Sequence, residues 1–246
     1  MRLFLSDSHL GFFERDRDRR REDLLLDVLR AAGRRATEVF IVGDLFDFWF
    51  DYKSVVPREF YRTLAALSEL RGRGVNIYYL IGNHDFGHYD FFSKELGIDP
   101  LPGDLEITLD GKKFYISHGD GKAYNDLGYK ILKKILRSRL NQFLYRKLHP
   151  DWAINMARTS SKKSRNYTDA RDFGSRDGQR DFAERKLREG FDYVVMGHRH
   201  VAKLEPIAGG WYCNLGEWLR SPHCATFDGG ELKLMPVEEF LTAYGE

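Results

Sequence analysis

Asp7, His9, Asp44, Asn83, His118, His198 and His200 are scattered from one end of the chain almost to the other, yet each sits in a short polar block that closes an apolar run. The blocks are Asp7-Ser8-His9, Gly43-Asp44, Gly82-Asn83-His84-Asp85, Ser117-His118-Gly119-Asp120 and Gly197-His198-Arg199-His200. Carboxylate, imidazole and carboxamide groups delivered from successive strand ends are what a two-metal hydrolytic centre requires, one carboxylate bridging the cations while others cap each side. Asp44, a lone carboxylate after an apolar strand and a glycine, is the natural bridge. Asp7 and His9 are two residues apart and on an extended backbone point the same way, and the same reasoning puts His198 and His200 on one side. Mixed nitrogen and oxygen ligation favours Mn²⁺, with Fe²⁺ or Zn²⁺ as alternatives, over Mg²⁺ or Ca²⁺. Two such cations, roughly 3.5 to 4 Å apart, would activate water and clamp a phosphoryl oxygen. A single histidine after a strand is more often structural than ligating; the ordered conjunction of five blocks carries the argument.

The elements that must position these residues can be read from periodicity. Arg2 to Ser6, Thr37 to Val42 and Val75 to Ile81 read as strands, separated by helical patterns through Leu24, Leu25, Val28 and Leu29 and through Phe60, Leu64, Leu67 and Leu70. Strand, helix, strand in repetition predicts a largely parallel sheet with the ligands at one edge. After Pro102 the style changes: Leu105 to Leu109 and Lys113 to Ile116 flank Asp110-Gly111, a type I′ hairpin signal. Gly128 to Leu148 has helical spacing of Leu132, Leu136, Leu140, Phe143, Leu144 and Leu148, whose default meaning is core packing. Short antiparallel strands are predicted near 211–215, 223–227 and 232–236.

With 246 residues the chain is long enough for one domain with a substantial core, so the expectation is a single domain over 1–246 carrying an insertion at about 128–190. That segment is basic: Lys130 to Arg188 holds 17 Lys/Arg against 6 Asp/Glu, leaving the rest of the chain at −9 for a total of +2. Such a segment suits a phosphorylated ligand or an anionic membrane surface, although a solvated helical face would read the same way. No apolar run reaches a membrane span, and Met1-Arg2 leads straight into a strand without the pattern of a signal peptide. The expected location is therefore cytoplasmic, with peripheral contact at the inner face of a membrane allowed. Cys213 and Cys224 are far from the blocks and read as buried thiols.

The five blocks, in this order, resemble the calcineurin-like metallophosphoesterase superfamily over Leu3 to His200. The resemblance implies an αββα sandwich of two mixed sheets flanked by helices, in the α/β class, with a dinuclear site at the strand ends. On matching positions it implies that Asp7, His9, Asp44 and His200 hold the first metal, and Asp44, Asn83, His118 and His198 the second. His84 would assist catalysis, and Asp47 would orient it. Gly43-Asp44-Leu45-Phe46-Asp47-Phe48-Trp49, His118-Gly119-Asp120 with Asn125-Asp126-Leu127-Gly128-Tyr129, and the basic insertion resemble the UDP-2,3-diacylglucosamine diphosphatases of lipid A biosynthesis. That family releases UMP and 2,3-diacylglucosamine 1-phosphate. It implies substrate contacts at Asn83, His84, Asp126, Ser161, Arg165 and His198. Many members of its best known branch have Arg where this chain has His84, which is the general superfamily pattern.

Other functions would leave different marks. A phosphoesterase acting on a soluble nucleotide or phosphodiester would use the same centre. A nuclease would explain the basic segment, but its cations alternate with a Leu/Ile stripe rather than with aromatics arranged for base stacking. A non-catalytic scaffold would be expected to have lost ligands, and all seven are present.

Overall fold

The computed structural model describes residues 1–122, 138–157, 159 and 177–245. Strands β1 (Arg2–Leu5), β2 (Glu38–Val42) and β3 (Asn76–Leu80) lie parallel, β2 between the other two. The helices Arg15–Arg35 and Tyr61–Gly72 make the crossovers. A two-residue strand, β4 (Pro100–Leu101), adds to the β3 edge. On the other side β1 pairs antiparallel with β10 (His223–Asp228), which pairs with β11 (Glu231–Pro236). This sheet is thus mixed: β1 to β4 are parallel, as the strand–helix alternation predicts, and a C-terminal hairpin adds antiparallel pairing at the free edge of β1.

The second sheet runs β5 (Leu105–Leu109), β6 (Lys112–Ser117), β7 (Tyr193–Met196), β9 (Gly210–Asn214) and β8 (Lys203–Ile207). Here β6, β7 and β9 are parallel neighbours, so the strand near 211–215 is parallel to β7 and antiparallel only to β8. The β5–β6 hairpin turns at Asp110 and Gly111, both at positive φ (48° and 78°), as a type I′ turn requires.

Alternation along the strands builds the layers. Leu3 and Leu5 of β1 and Val39 and Ile41 of β2 join the cluster that includes Leu25, Val28, Leu64 and Leu67 of the crossover helices. Phe4, Phe40 and Val42 face the other way, into a core shared with Phe114, Ile116 and Val195 of the second sheet. Phe4 stacks on Phe40 (4.6 Å between centroids) and reaches Phe114 (5.9 Å). Beyond the second sheet, Val194, Met196 and Tyr212 pack with Ala183 and Leu187 of the helix Gly178–Arg188. Both sheets are covered on both faces, and each fully buried aliphatic or aromatic side chain contributes about 1.5–3 kcal/mol. The architecture is the αββα sandwich of two mixed sheets.

The apolar stripe after Gly128 differs from expectation. Its described part is not a continuous helix, because Ser138 is extended (φ −67°, ψ 137°) and caps a short helix, Arg139–Tyr145, by accepting from the Asn141 amide. A second helical stretch covers 150–157. Nor is the stripe core: Leu140, Phe143, Leu144 and Leu148 are exposed, as are Trp152 and Met156. Leu132, Leu136, Asp126, Ser161 and Arg165 lie outside the described residues. No described helix is long and apolar enough to cross a membrane.

Candidate metal centre

Past their last residues, β1 and β2 continue to pair through their loops. The Asp7 amide donates to the Gly43 carbonyl (3.1 Å), His9 to Asp44 (2.9 Å) and Leu10 to Leu45 (3.0 Å), and Asp47 donates back to Leu10 (2.8 Å). Gly197 likewise donates to the His118 carbonyl (3.1 Å), joining the two loops of the second sheet. The ligand-type residues therefore hang from a hydrogen-bonded rim rather than from free loops.

That rim is not extended. Asp7, His9, Asp44, His198 and His200 all have φ between 44° and 70°, and only Asp110 and Ala208 join them among described non-glycine residues. A left-handed residue with a side chain costs roughly 1–2 kcal/mol, so strain is concentrated at the ligand-type positions. The expectation that His198 and His200 share one side of an extended backbone is overturned. The Arg199 amide folds back to the Gly197 carbonyl (2.9 Å), and the two imidazoles diverge into separate groups. Asp7 and His9 do converge, through the turn rather than through extension.

Two groups of candidate ligands result. Asp7, His9 and His200 bring their ligand atoms together, as do Asp44, His118 and His198; a third group, His9, Asp44 and His84, overlaps both. Asp44 Oδ2 stands between the halves, 3.8 Å from His9 Nε2 and 3.3 Å from His118 Nε2. Asn83 Oδ1 lies 3.0 Å from His118 Nε2, completing the second half.

Each carboxylate has one oxygen held by the chain and the other turned inward. Asp7 Oδ2 accepts from Ser6 Oγ (2.6 Å) and the His198 amide (2.8 Å), while Asp7 Oδ1 is buried with no hydrogen-bond partner. Asp44 Oδ1 accepts from the His84 amide (2.8 Å). His118 Nδ1 must be the donor to the Val42 carbonyl (2.8 Å), which turns Nε2 toward Asp44 and Asn83. His9 Nε2 and His200 Nε2 face each other at 3.2 Å. An orphaned carboxylate oxygen and inward-turned imidazole nitrogens are a donor set that fits divalent cations. Glycines permit the close approach: a Cβ at Gly43 would overlap the His118 ring, and one at Gly82 the Asp44 carboxylate.

The charges agree. Burial alone would raise the Asp44 and Asp7 carboxyls, but the surrounding imidazoles hold both well below the usual carboxylate range. Burial would lower His118, yet Asp44, helped by Asp7 and Asp120, holds it well above its ordinary value. His198, half-buried and desolvated beside His118, falls to about 4 and is neutral. A proton held this tightly among oxygen acceptors occupies the position a cation suits.

Asp47 and His84 meet at the rim of the Asp7 half. The Asp47 carboxylate lies 3.7 Å from His84 Nδ1 and 3.6 Å from His9 Nδ1, whereas its main-chain carbonyl accepts from His84 Nδ1 at 3.1 Å. The carbonyl thus makes the shorter contact with His84.

Sequence reasoning missed the supporting residues. Asp85, fully buried, accepts from the amides of Leu45 (2.9 Å) and Gly82 (2.8 Å) and from Tyr79 Oη (2.5 Å), so one carboxylate ties together the loops carrying Asp44 and Asn83. Burial, then the charge of Asp44, raises it to about 6. Gln179 donates to the Gly119 carbonyl (3.0 Å) and Asn214 to that of Gly197 (2.9 Å), holding the loops of His118 and His198. Arg21 donates to the His9 carbonyl (2.7 Å). Gln179 had a signal: it shares a face with Ala183 and Leu187 at intervals of four, where an apolar residue is expected.

The model of the calcineurin-like phosphoesterase family matches residues 2–202. Curated relatives named UDP-2,3-diacylglucosamine hydrolase include one from Porphyromonas gingivalis, 31% identical over 96% of this chain and 97% of the relative. Relatives of the same name from Haemophilus influenzae (89% and 90% covered) and Neisseria meningitidis (96% and 98%) are each 28% identical. Among solved structures, an archaeal phosphodiesterase is similar with a TM-score of 0.48 and 14% identity, covering 96% of this chain and 98% of its own.

Proposed function

The chain belongs to the calcineurin-like phosphoesterase family and is a phosphoester hydrolase, and from that premise we propose that it cleaves the diphosphate of an acylated sugar nucleotide, UDP-2,3-diacylglucosamine, to UMP and 2,3-diacylglucosamine 1-phosphate. The observation that carries the chemistry is the pair of ligand groups meeting at Asp44. In this reading Asp7, His9, Asp44 and His200 hold one divalent cation, and Asp44, Asn83, His118 and His198 the other, with Mn²⁺ the first choice of metal. When bound, the cations supply an activated water and neutralise charge at phosphoryl oxygens.

The chain's own residues do the rest. His84, its Nδ1 donating to the Asp47 carbonyl, would meet a departing or non-bridging phosphate oxygen through its ring. Asp47 is the residue that orients it. Ser6, Asp85, Gln179 and Asn214 keep the rim in its strained form. Asn83, His84 and His198 would also touch substrate, and Asp126, Ser161 and Arg165 would add contacts from the insertion.

Two observations support an acylated substrate. The relatives carry that name over nearly full length. The described part of the insertion exposes Leu140, Phe143, Leu144 and Trp152, an apolar face suited to acyl chains or the inner face of a membrane. The insertion meets the Asp47 flank, since Ile154 borders the same small gap as Gly11, Asp47 and Phe48. Rates on UDP-2,3-diacylglucosamine, an unacylated UDP-sugar and a generic phosphodiester test the proposal. Turnover of the acylated substrate no faster than of the unacylated one would reject it in favour of a soluble nucleotide or phosphodiester.

A further inference from the structure

The two flanks of the centre are built differently. On the Asp47 flank the insertion packs down: the Tyr145 ring lies tilted against Phe50 (4.6 Å between centroids), and Arg146 donates to the Asp51 carbonyl (3.2 Å) while lying over the Tyr89 ring (3.7 Å). On the His118 flank a recess of about 230 Å³ opens, lined by Ile81, Pro102, Gly103, Asp104, Asp120 and Lys122 beside His118. Whole ligand sites occupy roughly 300–1,000 Å³, so this recess is a subsite for part of a substrate.

Its chemistry is preset. Asp104 accepts from Ser117 Oγ (2.6 Å), Lys122 Nζ (2.5 Å) and Tyr115 Oη. Burial would raise its carboxyl, but Lys122, Ser117 and Tyr115 outweigh that and hold it below its ordinary value. It is therefore an ionised group that only accepts hydrogen bonds. Lys122 is fixed as well, its ammonium 4.4 Å from the Phe182 ring centroid, and its charge is already matched by Asp104. With Asp120 also on the wall, the recess repels an additional phosphate and attracts hydroxyl donors.

Resting on the reading above, we infer that this recess binds the pentose of the nucleoside monophosphate half of the substrate. Asp104 and Asp120 accept from the sugar hydroxyls while the attached phosphate stays at the centre. The apolar half of the substrate then extends the opposite way, along the insertion. The assignment explains why a polar, carboxylate-lined recess adjoins a site whose other flank is apolar.

The test is inhibition of bis(p-nitrophenyl) phosphate hydrolysis by the Mn²⁺-loaded enzyme, using uridine 5′-monophosphate, its 2′-deoxy analogue and inorganic phosphate. Uridine monophosphate should inhibit ~10-fold or more tightly than phosphate, with the deoxy analogue between them. Asp104→Asn should narrow that gap by weakening inhibition by uridine monophosphate, the phosphate inhibition constant staying the same. Gly103→Leu should narrow the gap as well by filling space, since Gly103 lines the recess and a Cβ there meets no atom within 4 Å. Equal inhibition of the wild type by nucleotide and phosphate, or a gap that survives both substitutions, overturns the inference. A wild type that keeps the gap but does not prefer the acylated substrate rejects the lipid reading and leaves the recess assignment standing.

Discussion

The ligand loops and the segment 138–157 break opposite rules of burial. In the loops Asp7, His9 and Asp44 are at most 1% exposed, and the backbone takes up left-handed turns to hold them there. In the segment, Trp152 is 76% exposed and Leu140 67%, although the same side chains would lower the free energy of a core. Buried charge requires partners that the chain supplies only in part, and exposed apolar surface requires a partner that the described chain does not supply. The first fits cations, and the second is the surface proposed above for acyl chains. Their difference underlies the proposal that the two halves of a substrate lie on opposite flanks of the centre.

Removing the charge shared by the two ligand groups should have the largest effect. Asp44→Ala is expected to abolish turnover, by ~10³-fold or more, and to loosen both cations together; metal analysis showing one cation retained at full occupancy would break the view of Asp44 as a bridge. His84→Ala should lower kcat by ~10²-fold with metal content nearly intact. Unchanged kcat would remove His84 from the chemistry. Asp47→Ala should cost less, roughly tenfold, because the main-chain carbonyl that holds His84 survives the substitution.

The insertion should answer differently. Replacing Leu140, Phe143 and Leu144 with Ser should change stability by no more than about 0.5 kcal/mol per position, since all three are exposed. The KM for the acylated substrate should rise about tenfold with no change for a soluble diester. Unfolding of this variant would show the stripe to be core after all.

A buried group outside both regions should act on stability alone. His88 lies among Trp49, Tyr79 and Phe92, and burial pushes it down to about 3. The unfolded chain binds its proton near the ordinary value of about 6.5 and the folded chain does not, so stability is lost as pH falls from that value toward 3. His88→Phe should flatten this acid limb by up to about 1.4 kcal/mol per pH unit, read from urea midpoints at pH 7 and pH 5.

Much of the centre was legible because its ligands are unusual residues in usual places. Aspartate and histidine directly after apolar strands stand out locally; His84 lies in one of the blocks and Asp47 three residues after Asp44, their roles implied by the family resemblance. Ser6, Asp85, Arg21, Gln179 and Asn214 did not stand out, because their role lies in hydrogen bonds to partners distant in sequence. Asp85 reaches back to Leu45 and Arg21 to His9. The stripe after Gly128 was read as core because periodicity tells which face is apolar, never what covers it.

By itself the sequence determined which side chains could bind cations, that they end strands, and that the chain alternates strands with helices, since these depend on residue type and short-range period. Only the tertiary structure decided that the C-terminal hairpin closes a mixed sheet, that His198 and His200 part company, and that the described part of the apolar stripe faces outward. Those outcomes depend on which edges and faces find partners across the molecule. A local pattern constrains what a segment can offer, and packing selects what it meets.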